Sequence, residues 1–165
     1  MSLRNLSDSS VLAGFDRIVR QSHSITAALL AHILEIESRG IYRDQGYDSI
    51  RAFLVVGHHF SEDAAERRLQ AAHTVWRHPQ ILERVADGRL HLTAVGLLSA
   101  HLDASNAAEL IEAATHKTRS QIQALLLARK SPPVAVDQPE IALSAGKPAL
   151  AQVHGAAVRL RSPHS

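Results

Sequence analysis

Five polar side chains fall on one short stretch of this chain at spacings that a single helix face would bring together. Arg67, Gln70, Thr74 and Arg77 recur at steps of three and four, and Arg68 stands beside the first of them. Such a set could recognise a polyanion. Arginine can donate two hydrogen bonds to guanine, glutamine can bridge the edge of adenine, and threonine can reach a phosphate or a thymine methyl. A charge-balanced, solvated face is the competing reading, because Glu62, Asp63 and Glu66 match Arg67, Arg68 and Arg77 one for one.

The 11 histidines invite metal or acid–base chemistry, but their spacing argues against it. His58 and His59 form the only adjacent pair, His-Glu-x-x-His is absent, and no further carboxylate–histidine set stands within one helical turn of them. His58, His59, His73, His78, His91, His101 and His116 are expected at helix ends and surface turns, adding positive charge below about pH 6.5. There is no Gly-x-Ser-x-Gly elbow, phosphate-binding glycine loop or dinucleotide fingerprint. The absence of cysteine removes thiol nucleophiles, disulfides, zinc knuckles and iron–sulfur sites together. No catalytic residue, metal ligand or cofactor site is expected.

The elements that must position the five side chains are helical. Val11, Phe15, Ile18, Ser22, Ile25, Leu29, His32 and Ile36 alternate at steps of four and three, tracing one seam of a long helix that starts near Ser7 or Asp8 and stops at Gly40. Leu12, Val19, Leu30 and Ile33 widen that stripe, which predicts packing against several shorter helices, with His32 as a partly buried packing residue. Asp48 is placed to cap a helix over 48–59, with Ile50, Phe53, Leu54 and Gly57 on one face. Ser61 is placed to cap the next, over 61–77, with Glu62 and Asp63 in its first turn.

At about 100° per residue, Ala65, Leu69, Ala72 and Trp76 gather on the inner side of that helix, and the contact candidates fall opposite. Two short helices with a tight connection are the skeleton of a helix-turn-helix, although His58-His59-Phe60-Ser61 lacks the usual corner glycine. Proline at the first helical position opens a helix over 79–86, closed by Gly88. Three more amphipathic pieces follow near 93–101, 104–115 and 119–129, the last two capped by Asp103 and Thr118. The body is expected to be an all-α multi-helix bundle of about seven helices.

Composition divides the 165 residues at Ser131. Residues 1–130 carry 15 basic and 14 acidic side chains, whereas 131–165 carry 3 and 2 and five of the prolines, which predicts a mostly irregular tail. The net charge of +2 permits a nucleic-acid partner without demanding one. No stretch reads as a signal peptide or a membrane span, so a soluble, cytoplasmic protein is expected.

The run Gly46-Tyr47-Asp48-Ser49-Ile50-Arg51-Ala52-Phe53, continuing through Phe60-Ser61-Glu62-Asp63-Ala64-Ala65-Glu66-Arg67-Arg68-Leu69, is followed by Pro79-Gln80-Ile81-Leu82-Glu83 and Ala86-Asp87-Gly88-Arg89-Leu90. In order and spacing, over roughly residues 6–130, these segments resemble the helical N-terminal domain of bacterial HNH endonuclease-type proteins. In that family the nuclease chemistry resides in a separate C-terminal domain, whose histidine cluster and paired cysteines have no counterpart here, so the resemblance implies the non-catalytic module alone and a truncated or frame-shifted gene. The Ala86–Leu90 turn and the helix pair before it are also similar to the helical DNA-binding domain of chromosome-partition proteins. Both resemblances imply a DNA partner, contacted through Arg67, Arg68, Gln70, Thr74 and Arg77. The alternative is an interaction or dimerisation bundle that pairs through residues 8–39 and binds no nucleic acid.

Overall fold

The computed structural model describes residues 3–130; the tail expected over 131–165 lies outside the described residues. Helix α1 (Asp8–Arg39) begins where Ser7 Oγ accepts a hydrogen bond from Ser10 N at 3.3 Å, and it ends at Gly40, whose φ of 68° suits a residue without a side chain. A short α2 (Ile41–Asp44) follows and buries Tyr42. Helix α3 (Ile50–Ala52), capped by Ser49, runs directly into a π-helical turn (Phe53–Gly57). Then come α4 (Glu62–Arg77), α5 (Gln80–Ala86), α6 (Leu92–Leu98), α7 (Ala107–Ala113) and α8 (Arg119–Lys130). The all-α expectation holds, and no strand occurs among the described residues.

The described residues contain eight α-helices, and the one that sequence patterning missed is α2. Several boundaries also move. Ser49 rather than Asp48 caps α3, Pro79 stands just before α5, and α7 starts only after Asn106. Asp103 instead folds the preceding turn, accepting from Ser105 N at 2.8 Å and Asn106 N at 3.0 Å.

Aliphatic side chains build the core. Helix α1 lies on α4 and α5, α4 also packs on α6, and α6 on α8. Leu30, Ile33, Ile81, Leu98, Leu110, Ile111 and Ile122 are completely buried between them. Each such side chain contributes about 1.5–3 kcal/mol relative to exposure. Tyr42 is the only aromatic residue in the buried set.

The inner face of α1 departs from the expected seam. Ala27, Leu30 and Ile33 are its buried residues, whereas Phe15, Ile18 and Ile25 are exposed and Val11 borders on exposure. His32 is likewise exposed, its Nδ1 bonded to Ala28 O at 2.7 Å, and is no packing residue. The neighbouring helices cover only the later part of α1, and there they meet the edge of the stripe, a quarter-turn or so from its centre.

No helix among the described residues is long and apolar enough to cross a membrane.

Candidate nucleic-acid interface

The connection between α3, with the π-helical turn that follows it, and α4 is closed through local chemistry. Ser61 Oγ accepts from Ala64 N at 3.2 Å, fixing the first residue of α4, and Glu62 and Asp63 place negative charge at its positive end. His59 holds the corner with φ 57°, in the left-handed region that the absent glycine would have occupied. Phe60 N then donates back to Leu54 O at 3.1 Å. Behind the corner, Tyr47 meets Phe53 edge to face at 5.4 Å, and Phe53 meets His58 at 4.5 Å. A side chain at Gly57 would come within 2.7 Å of the Tyr47 hydroxyl, so glycine is needed there for close approach.

Helix α4 seats itself through small residues. Ala65, Ala71 and Ala72 are fully buried, with Leu69 and Val75 beside them. Three of the five predicted contact residues remain on the outer side. Arg67 and Arg77 are exposed and have no ion-pair partner among the described residues; Arg77 Nε donates to His73 O at 3.4 Å. Gln70 is exposed too, but its Nε2 donates to Ser99 Oγ at 3.0 Å, tying α4 to the end of α6.

The other two turn inward. Thr74 is fully buried, its Oγ1 donating to Gln70 O at 2.7 Å; satisfying that hydroxyl within the helix allows a polar residue into the core, and Thr74 cannot reach a ligand. Arg68 is half-buried, its guanidinium 4.7 Å from the Phe60 ring centre and its Nη1 donating to Ala64 O at 3.0 Å. Burial, and after it the charge of Arg67, lowers the Arg68 pKa from its ordinary value. Trp76, expected to anchor the inner side, is instead 74% exposed near the helix end.

Acids share the outer face. Glu62 is engaged by Arg51 at 3.1 Å, and Asp63 and Glu66 are exposed. His73 lies mid-helix rather than at an end, paired with Glu37 of α1 at 2.7 Å.

Sequence reasoning passed over a second cationic region, where the turn after α5 meets the turn before α8. Arg89, His91, Thr93, His116, Lys117, Thr118 and Arg119 line a shallow recess whose lining includes no carboxylate. His116, at φ 57°, donates its backbone N–H to Arg89 O at 2.9 Å. His91 Nδ1 accepts from Ala94 N at 3.0 Å and so caps α6, which leaves Nε2 to donate to Lys117 O at 3.3 Å. Arg89 is held back by Asp87 at 2.6 Å, and that hydrogen bond lowers the carboxyl's pKa. The run His116-Lys117-Thr118-Arg119 was the signal available in the sequence.

Among the described residues no group of three or more histidines, aspartates or glutamates is arranged to hold a metal ion. No protein-family model, curated protein or solved structure matches the chain.

Proposed function

We propose that this chain is a non-catalytic, DNA-associated helical module akin to the N-terminal domain of HNH endonuclease-type proteins. The observation that carries the reading is the α3–α4 pair: its corner closes on His59 without a glycine, and the following helix carries Arg67 and Arg77, both exposed and neither in an ion pair among the described residues, on either side of the buried Thr74. Guanidinium groups held this way neutralise phosphates, and Gln70 between them is the one candidate for reading a base edge. The recess at Arg89, Lys117 and Arg119 supports the same reading by offering a second place for backbone phosphates.

Titration of the full chain on duplex DNA at several salt concentrations tests the proposal. Binding is expected to weaken as salt rises, and replacing Arg67 and Arg77 together by alanine should flatten the log–log slope by about 0.9 for each phosphate that is no longer neutralised. Salt-insensitive binding, no binding, or a double variant indistinguishable from the parent would each refute it.

A further inference from the structure

The exposed part of α1 is apolar in a pattern the bundle does not use. Phe15, Ile18 and Ile25 are 62%, 66% and 58% exposed, with Val11 and Leu12 beside them. Val11, Phe15, Ile18, Ser22 and Ile25 repeat at steps of four, three, four and three, the spacing at which one helix supercoils with another. Asp16, Arg17 and Arg20 lie on the remaining circumference, so the middle of the stripe offers nothing to a charged partner.

Gly14 gives a second, independent indication. It sits inside a helix, where glycine costs about 0.5–1 kcal/mol relative to alanine, and nothing lies within 4 Å of where its Cβ would stand. At about 100° per residue it borders the stripe between Val11 and Ile18. Within one copy its small size serves no contact. Against a second helix it permits close approach.

We infer that residues 8–25 of α1 pair with the same segment of a second copy of this chain. A helix with this repeat is complementary to itself, and an isologous two-fold pairing covers both stripes at once. Five exposed apolar side chains present about 500 Å² of surface, at the upper end of what a monomer leaves open. Two copies would bury at most roughly 1,000 Å², with Leu12 at the stripe's edge included, which reaches the lower bound for a specific interface. The later part of α1 stays out of the contact because Leu30 and Ile33 belong to the bundle's own core.

Sedimentation of the full chain at tens of micromolar tests the pairing. The expected species has twice the chain mass of 17.9 kDa, and Phe15→Glu with Ile18→Glu should return it to one chain mass with helical content and cooperative unfolding retained. Because the chain has no cysteine, Ser22→Cys on the stripe and Arg20→Cys on the opposite side provide a second readout. Oxidation should cross-link the first where the two helices run parallel, and spare the second in either orientation. A parent chain at single mass overturns the inference, whether the stripe proves to be covered by residues 131–165, by lipid vesicles or by nothing. A dimer that Phe15→Glu with Ile18→Glu leaves intact overturns it as well.

Discussion

The two parts of α1 carry one continuous apolar pattern but meet different surroundings. From Ala27 onward Ala27, Leu30 and Ile33, to one side of the stripe's centre, are closed over by α4 and α5, whereas up to Ile25 the stripe itself faces outward. The repeat therefore says that a stripe exists, and where the neighbouring helices are laid, along the stripe and around it, decides which part of it is core. His23 marks the transition, lying against the turn at Gly88 that follows α5.

The largest test of this contrast is a pair of truncations on one helix. Leu30→Ala should cost about 2–5 kcal/mol by urea unfolding, because it opens a cavity in a sealed core. Ile18→Ala, removing a comparable side chain from the outer part, should fall within about 0.5 kcal/mol when measured on the single chain at high dilution. Equal losses would mean that the two parts are not distinct.

An intermediate effect probes the boundary. Gly88 has φ 81°, and a Cβ there would stand 2.2 Å from His23 Nδ1. Gly88→Ala should therefore lose about 1–3 kcal/mol. Adding His23→Ala should recover the portion due to the clash and leave the portion due to the backbone. Full recovery would show that the left-handed conformation is free of strain.

The smallest effect is electrostatic. Hydrogen bonds from Arg89, Ser105 and Arg84 hold the carboxyls of Asp87, Asp103 and Glu112 below their ordinary pKa values. A folded-state pKa below the unfolded value of about 3.9 for Asp or 4.3 for Glu gives stabilisation that is complete above that range and is lost as pH falls through the folded value. Urea midpoints should decline below about pH 4. Asp87→Asn, which acts on the turn that receives His23, should make that decline shallower.

Local signals were legible where a residue acts on its own backbone. Ser7, Ser61 and Gly40 mark helix ends from sequence because a hydroxyl cap or a glycine turn needs no distant partner. Rotation of a helix about its axis was not legible in the same way. Thr74 reads as outward by angle, yet it is buried because its hydroxyl is satisfied by Gln70 O and neighbouring helices close over it. Trp76 reads as inward, yet it is exposed although Thr74 and Val75 beside it are buried. His59 and His91 lie at a turn and a helix end, as expected, but neither residue type announces the particular role, a left-handed corner in one case and a helix cap in the other. Of the contact set, Arg67, Gln70 and Arg77 keep an outward position, Arg68 is engaged by Phe60 and Ala64, and the Arg89–Lys117–Arg119 recess emerges only when two turns 26 residues or more apart come together.

Trp76 is the sole tryptophan, and its indole already stands in water when the chain is folded. Its emission will change little on denaturation, so intrinsic fluorescence is a poor gauge of unfolding in this protein. The same property makes it a built-in optical reporter for the far end of α4: any molecule that lands there and displaces solvent should move the emission to the blue without an added dye.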